Sequence, residues 1–254
     1  MEATGLKGIT RKEILGNIKE LFTVSYYKEG LSNWMPITKV AALIGFAIII
    51  GTGLPHGFAI TNIISIISGL IGYTCVLAIT NGKRINGLLG FISAIGIGGM
   101  AIHAGNPADA VMQLAYLLAL DIPVIVFGHR WTNAKIKTFD KGALKIILIV
   151  GVIGFAAMYS MDAFWLHTPR PILDAFGATI GFIGSALMLG KYSTQYFFWN
   201  FQGIMSIALW GMTAMQGDAN WVLFATYMMY LMNSMIGAFH SPWSEARKQK
   251  HLEK

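Results

Sequence analysis

Apolar residues gather along the chain into eight long runs, at 36–54, 57–80, 86–102, 107–127, 144–164, 172–190, 193–213 and 220–239. Short joints rich in Gly, Asn, Asp, Lys and Arg separate them. Each run holds roughly 18–24 residues, the length of helix that crosses a hydrocarbon layer about 30 Å thick. The pattern predicts an all-α integral membrane protein of eight transmembrane helices. Ahead of the first run, Ile14, Leu15, Ile18, Leu21 and Phe22 recur at helical spacing, with Lys12 and Lys19 elsewhere on the wheel. That spacing predicts a short amphipathic helix on the inner membrane surface, and a solvated helical tail fits it equally well.

Charge orients the spans. With the N-terminus inside, every one of the 19 Lys and Arg residues except Arg170 falls on one side. Lys7 to Lys39 precede or open the first span; Lys83, Arg84, Arg130, Lys135, Lys137, Lys141, Lys145 and Lys191 occupy inner joints; Arg247 to Lys254 close the chain. This is the positive-inside bias of a plasma or bacterial inner membrane protein with both termini cytoplasmic. Composition agrees: 12% of residues are charged and 55% hydrophobic, where a soluble domain carries about 25% charged. The net charge of +7 does not point to nucleic acid, because the cations sit at span ends, where they meet anionic lipid. The single Cys75 lies inside a span and excludes an intramolecular disulfide. No cleavable leader is expected, since the opening stretch is charged and the first apolar run is followed by more.

The chain also matches itself. Ile71-Gly72-Tyr73 pairs with Ile180-Gly181-Phe182, and at the same offset Asn86 falls on Gln195, Gly90 on Trp199, Ser93 on Gln202, and Asp109-Ala110 on Asp218-Ala219. With a slip of three, Asp121 falls on Asn233. The repeated unit is three spans. An odd number of spans leaves the chain on the far side, so one linker span restores the orientation and the two units run parallel. The predicted division is an amphipathic cytoplasmic segment 1–35, an extra span 36–56, a first repeat 57–130, an inner loop and linker span 131–166, a second repeat 167–240 and a cytoplasmic tail 241–254. In parallel-repeat transporters the substrate site lies near mid-membrane between the repeats.

Polar groups at membrane depth are costly, so they face a bundle interior or a cavity. The seventh span is richest. Gln195, Trp199 and Gln202 share one helix face, and Tyr196, Asn200 and Gly203 its neighbour. Thr226, Tyr230 and Asn233 follow the same spacing in the eighth span, and Gln113 and Tyr116 share a face in the fourth, with Asp121 beyond. Aromatic walls beside carboxamides suit a flat hydrogen-bonding ligand such as a nucleoside or heteroaromatic vitamin. Two readings stand for these residues: ligand contacts, or an interfacial aromatic belt with amides paired between helices. Asp121 reads as a proton- or amine-binding carboxylate or as a boundary residue beside Arg130. Ser93 and Asn62 fit ligand contacts or helix–helix contacts.

Catalysis finds little support. The six His residues lie at span ends without zinc-ligand spacing, so no metal or other cofactor is predicted. His167-Thr-Pro-Arg170-Pro lacks the partner motifs of a membrane phosphatase, and one deep carboxylate is too few for an intramembrane enzyme acting on a lipid or isoprenoid, which needs paired acidic residues or a His–Asp set at membrane depth. The loops and tail are too short for a signalling domain, which argues against a scaffold.

The chain resembles the PnuC family of vitamin and nucleoside transporters over about residues 57–245. The likeness rests on Ser68-Gly-Leu-Ile-Gly72, Leu77 through Lys83, Gly90-Phe-Ile, and the two repeat endings Gly128-His-Arg-Trp131 and Asn233-Ser-Met-Ile-Gly237 with Trp243. The three-one-three plan is shared with SWEET-type sugar facilitators. The resemblance implies a facilitator, often trimeric, for a vitamin such as nicotinamide riboside, with a cytosolic kinase trapping the product. Its seventh-span signature of two Trp and an Asn or Asp stands here as Tyr196, Trp199 and Gly203; Ser93 and Asp121 stand where the family often has Gln. Those departures leave room for a deoxynucleoside, thiamine or riboflavin. The expected substrate-binding set is Trp199, Asn200, Gln202, Tyr196, Tyr230, Asn233, Tyr116, Asp121 and Ser93, with facilitated diffusion by rocking of the repeats. No nucleic-acid partner is expected.

Overall fold

The computed structural model describes residues 8–168, 171–215 and 221–252. Arg170, the Asp218-Ala219 half of the repeat match and the first residue of the last run lie outside the described residues. Those described form helices joined by short turns, with a single isolated bridge between Lys137 and Tyr192.

Two short helices, α1 (Arg11–Glu20) and α2 (Val24–Leu31), precede the long ones. Then come α3 (Pro36–Gly53), α4 (Ile60–Thr80), α5 (Ile85–His103), α6 (Pro107–Tyr116) continued by α7 (Ile122–Phe127), and the short α8 (His129–Asn133). The second half holds α9 (Lys141–Phe164), α10 (Pro171–Leu189), α11 (Gln195–Met215), α12 (Trp221–Phe239) and α13 (Pro242–Leu252). Seven segments among the described residues are long and apolar enough to span a membrane. α11 has 21 residues but is not one of the seven; Gln195, Asn200 and Gln202 dilute its apolar character. The protein is a multi-pass membrane protein, and its outward surface says so: Leu43 is 72% exposed, Val152 70% and Ile204 58%. In water such a surface would aggregate; in lipid it is the solvated one.

The helices group in threes. α4, α5 and α6–α7 pack successively, as do α10, α11 and α12, and the groups meet where α12 lies on α4 and α10 on α6. α3 leans on α4 and α12, and α9 on α10. Between α6 and α7 the backbone opens into a π-turn at Leu117–Asp121. Pro123 explains it. Its ring has no N–H and would collide with the carbonyl four residues back, and a wider turn relieves both problems.

The N-terminal segment packs against the bundle. α1 begins with a capping box in which Thr10 and Glu13 bond reciprocally. Instead of lying free, it is docked on the bundle: Asn17 Nδ2 donates to the Val126 carbonyl (2.7 Å) and Arg130 to Glu13 Oε1 (2.6 Å). The Thr10 amide and then the Arg130 guanidinium hold the Glu13 carboxyl down at about 2. The close fit needs Gly128, which adopts φ +50° against the Asn17 amide. Buried Arg84 ties down both short helices: it donates to Glu20 at the end of α1 and to Glu29 of α2 (3.1 Å), and lies 4.9 Å from the Tyr26 ring centre.

The predicted tail is a docked helix as well. Trp243 is fully buried and its Nε1 donates to the Ile79 carbonyl (3.0 Å). Trp131 and Trp243 thereby meet, 6.4 Å apart, with the Lys191 ammonium 3.9 Å from the first ring and 5.0 Å from the second. Arg247 donates to the Ser193 carbonyl (2.7 Å). α1 and α13 therefore both sit at the basic end of the bundle, where Arg84, Arg130 and Lys191 collect.

Candidate functional site

Where α4, α5, α6–α7, α11 and α12 converge at mid-depth they enclose a cavity of about 110 Å³. Its position follows from small residues. Gly72 on α4 leaves space for the Tyr230 and Ser93 hydroxyls, and Gly181 on α10 leaves space for the Tyr116 hydroxyl and Gln202. In each triple, a first-helix glycine thus receives a second-helix polar residue of its own group and a third-helix tyrosine of the other. The Gly72–Gly181 and Ser93–Gln202 pairs were the ones aligned in the sequence.

Of the expected set, Trp199, Gln202, Tyr196, Tyr230, Asn233, Tyr116, Asp121 and Ser93 all line this cavity. Asn200 does not. It lies about 100° around the helix from Trp199, beyond the stripe that faces inward, and its Oδ1 is buried without a partner. Gln195 is fully buried and accepts the Trp199 Nε1–H (3.3 Å), a bond that steers the indole rather than lining the space. Thr226 fills the gap over Gly69 between α12 and α4, and Asn62 staples the Gly53 and Gly57 carbonyls at the opposite end (2.8 and 2.6 Å). Tyr227, Cys75 and Ser234 join the lining without having been singled out. Tyr227 had a usable signal, standing three residues before Tyr230 on the same helix.

The walls are aromatic on two sides. Trp199 and Tyr116 have ring centres 6.0 Å apart, and Tyr227 and Tyr230 are 5.4 Å apart. Toward the basic end Tyr196 closes the floor, its hydroxyl 3.2 Å from Thr80 Oγ1 and its ring edge-on to Trp243 at 6.3 Å. Polar capacity is left over. Asn233 spends Nδ2 on the Val76 carbonyl (2.9 Å) and Thr80 Oγ1 (3.0 Å), which fixes its amide orientation and leaves Oδ1 unpartnered. The Tyr116 and Ser234 hydroxyls are also buried without partners. These three atoms are free to bond a polar guest in the cavity.

Asp121 ends the π-turn with its carboxylate over Gly90, where a side chain on α5 would collide with it. It is 4% exposed. Among the described residues no ion pair or hydrogen bond reaches its carboxylate. The cavity lining includes no Lys, Arg or His.

A second cavity, of about 220 Å³, opens toward the end opposite the basic one, between α6, α10 and α11. Gln202 belongs to both walls. Its Nε2 donates to Ser206 Oγ (2.8 Å) and lies 3.9 Å from Met112 Sδ, so it stands as a partition. Asp109 borders this outer space and accepts the Tyr227 hydroxyl (3.3 Å), which in turn accepts Gln113 Nε2 (3.0 Å).

Comparison with known proteins places this geometry in context. The family described as nicotinamide mononucleotide transporter matches residues 62–245. A protein of Neisseria mucosa named nicotinamide riboside transporter PnuC is 21% identical over 98% of this chain and 97% of its own. A Haemophilus influenzae protein of the same name is 23% identical over 73% of this chain and 81% of its own. A crystal structure of the vitamin B3 transporter PnuC superposes with a TM-score of 0.72 at 21% identity, covering 89% of this chain and 99% of that one, and so shares its fold.

Proposed function

Because the chain belongs to the nicotinamide mononucleotide transporter family, we propose that it carries nicotinamide riboside, the unphosphorylated nucleoside, across the membrane. The observation that carries this reading is the cavity without a Lys, Arg or His in its lining. A phosphate monoester brings a charge of about −1.5 to −2, and burying it uncompensated costs several kcal/mol. The mononucleotide is therefore disfavoured and the riboside is not.

The aromatic walls suit the flat ring, stacked between Trp199 with Tyr116 on one side and Tyr230 with Tyr227 on the other. Asn233 Oδ1 accepts an N–H of the ring carboxamide, and the Tyr116 hydroxyl donates to its oxygen. Gln202, Gln113 and Ser93 face the ribose hydroxyls. The glycine-seated contacts at Gly72 and Gly181 support two parallel three-helix repeats joined by α9, with α3 as an extra span and α11 completing eight. The basic end is cytoplasmic, with both termini there. Transport is facilitated diffusion by rocking of the repeats, a cytosolic kinase traps the product, and the copies assemble as a trimer, as the family resemblance implies.

Uptake into liposomes containing only this protein tests the reading. Labelled nicotinamide riboside should enter saturably, with the mononucleotide neither entering nor competing. Riboside flux equal to that of empty liposomes, or mononucleotide entry at a comparable rate, would rule it out.

A further inference from the structure

We infer that Asp121 is the counter-ion of a permanently cationic ring, so that the protein selects a charged N-ribosylpyridinium over a neutral ring of the same shape. The inference rests on the substrate reading above and adds to it the property by which the substrate is chosen. Nicotinamide riboside carries its positive charge on the ring nitrogen, at the glycosidic bond.

Three observations converge. The Asp121 carboxylate lines the cavity, is more than nine-tenths buried, and has no hydrogen bond or ion pair among the described residues. A buried carboxylate normally finds a cation or several donors, and the lining offers no cationic side chain to supply one. Its placement is also held: the π-turn that Pro123 enforces turns residue 121 toward α5, and the absence of side chains at Gly87 and Gly90 lets backbone and carboxylate seat there. Three aromatic side chains share the lining with it, Trp199, Tyr116 and Tyr230, and aromatic ring faces attract cations in their own right. Site and ligand are complementary in sign.

A neutral isostere exists in the reduced dihydropyridine riboside, which has the same outline and no ring charge. Labelled riboside uptake is measured in liposomes with increasing reduced riboside as competitor, for the wild-type protein, Asp121→Asn and Asp121→Glu. The readout is the ratio of apparent affinities, which is insensitive to how much protein folds. The expected ratio favours the cation by at least about tenfold in the wild type, consistent with one charge pair at partial dielectric screening. It should fall to near one in Asp121→Asn and be largely restored in Asp121→Glu. A ratio unchanged in Asp121→Asn overturns the inference, as does wild-type protein that takes both ribosides equally. Wild-type protein that takes neither riboside overturns the substrate reading itself, and with it this inference.

Discussion

Removing the Trp199 indole is the most direct perturbation of the proposed site. The side chain is partly buried, lies 6.0 Å from Tyr116 at 51°, and is steered by its bond to Gln195. A desolvated cation over an indole face is worth about 2 kcal/mol or more, and ring-on-ring contact adds roughly 0.5–1.5 kcal/mol. The sum, roughly 2.5–3.5 kcal/mol, corresponds to a loss of about 60- to 300-fold in affinity. Trp199→Ala should therefore raise the Kd for nicotinamide riboside by that factor in titration calorimetry on purified protein. Trp199→Phe, which keeps a smaller face, should cost about three- to tenfold on the same scale. Melting temperature is the control, because the indole also touches Gly184; a shift of a few degrees is expected in either variant. If Trp199→Ala binds within about threefold of the wild type while melting normally, the ring does not stack there and the assignment of that wall is wrong.

The glycine seats and the basic end make two further predictions. A methyl at Gly72 would strike the Tyr230 and Ser93 hydroxyls, and one at Gly181 the Tyr116 hydroxyl; each Ala variant should lose about 1–3 kcal/mol of stability and reduce uptake, and a variant that melts and transports like the wild type would show that the close approach does not exist. Burial lowers the Lys191 ammonium to about 8, below its unfolded value of about 10.4. Between those values the unfolded chain binds more protons, so stability should rise with pH over about 8 to 10.4. Lys191→Met should remove that rise, and melting curves across pH would reveal an unchanged slope if the charge plays no part.

Much of this could be read before the fold was seen, and particular residues show why. Spans announce themselves by length because lipid forbids unpaired backbone. The pairs Gly72 with Gly181 and Ser93 with Gln202 were legible because the self-match that aligns them picks out residues with like packing tasks. The inward stripe of α11 was legible from helical spacing except at its margin, where Asn200 falls just outside it. Depth is a different matter: Thr226 faces the same way as Tyr230 and Asn233 yet meets α4 instead of the cavity, and periodicity carries no information about how far along an axis a neighbour stands. The docking of α1 and α13 was hidden for another reason. Their contacts are single polar bonds and a lone buried Trp243, which leave no periodic trace. The π-turn had its cue in Pro123, but whether a proline kinks a helix or widens a turn depends on what packs beside it.

The unequal closure of the two ends bears on rate. On the basic side an opening must part Trp131, Lys191 and Trp243, which interlock with α13; on the other side, among the described residues, Gln202 is the side chain that borders both cavities. In the rocking cycle proposed above, whichever end has the higher barrier governs turnover in both directions. Detailed balance leaves the final distribution of an uncoupled solute untouched, however lopsided the barriers are. Loosening the tryptophan pair would thus hasten the approach to equilibrium without moving it, and any net accumulation would be set by the chemistry that consumes the solute after release.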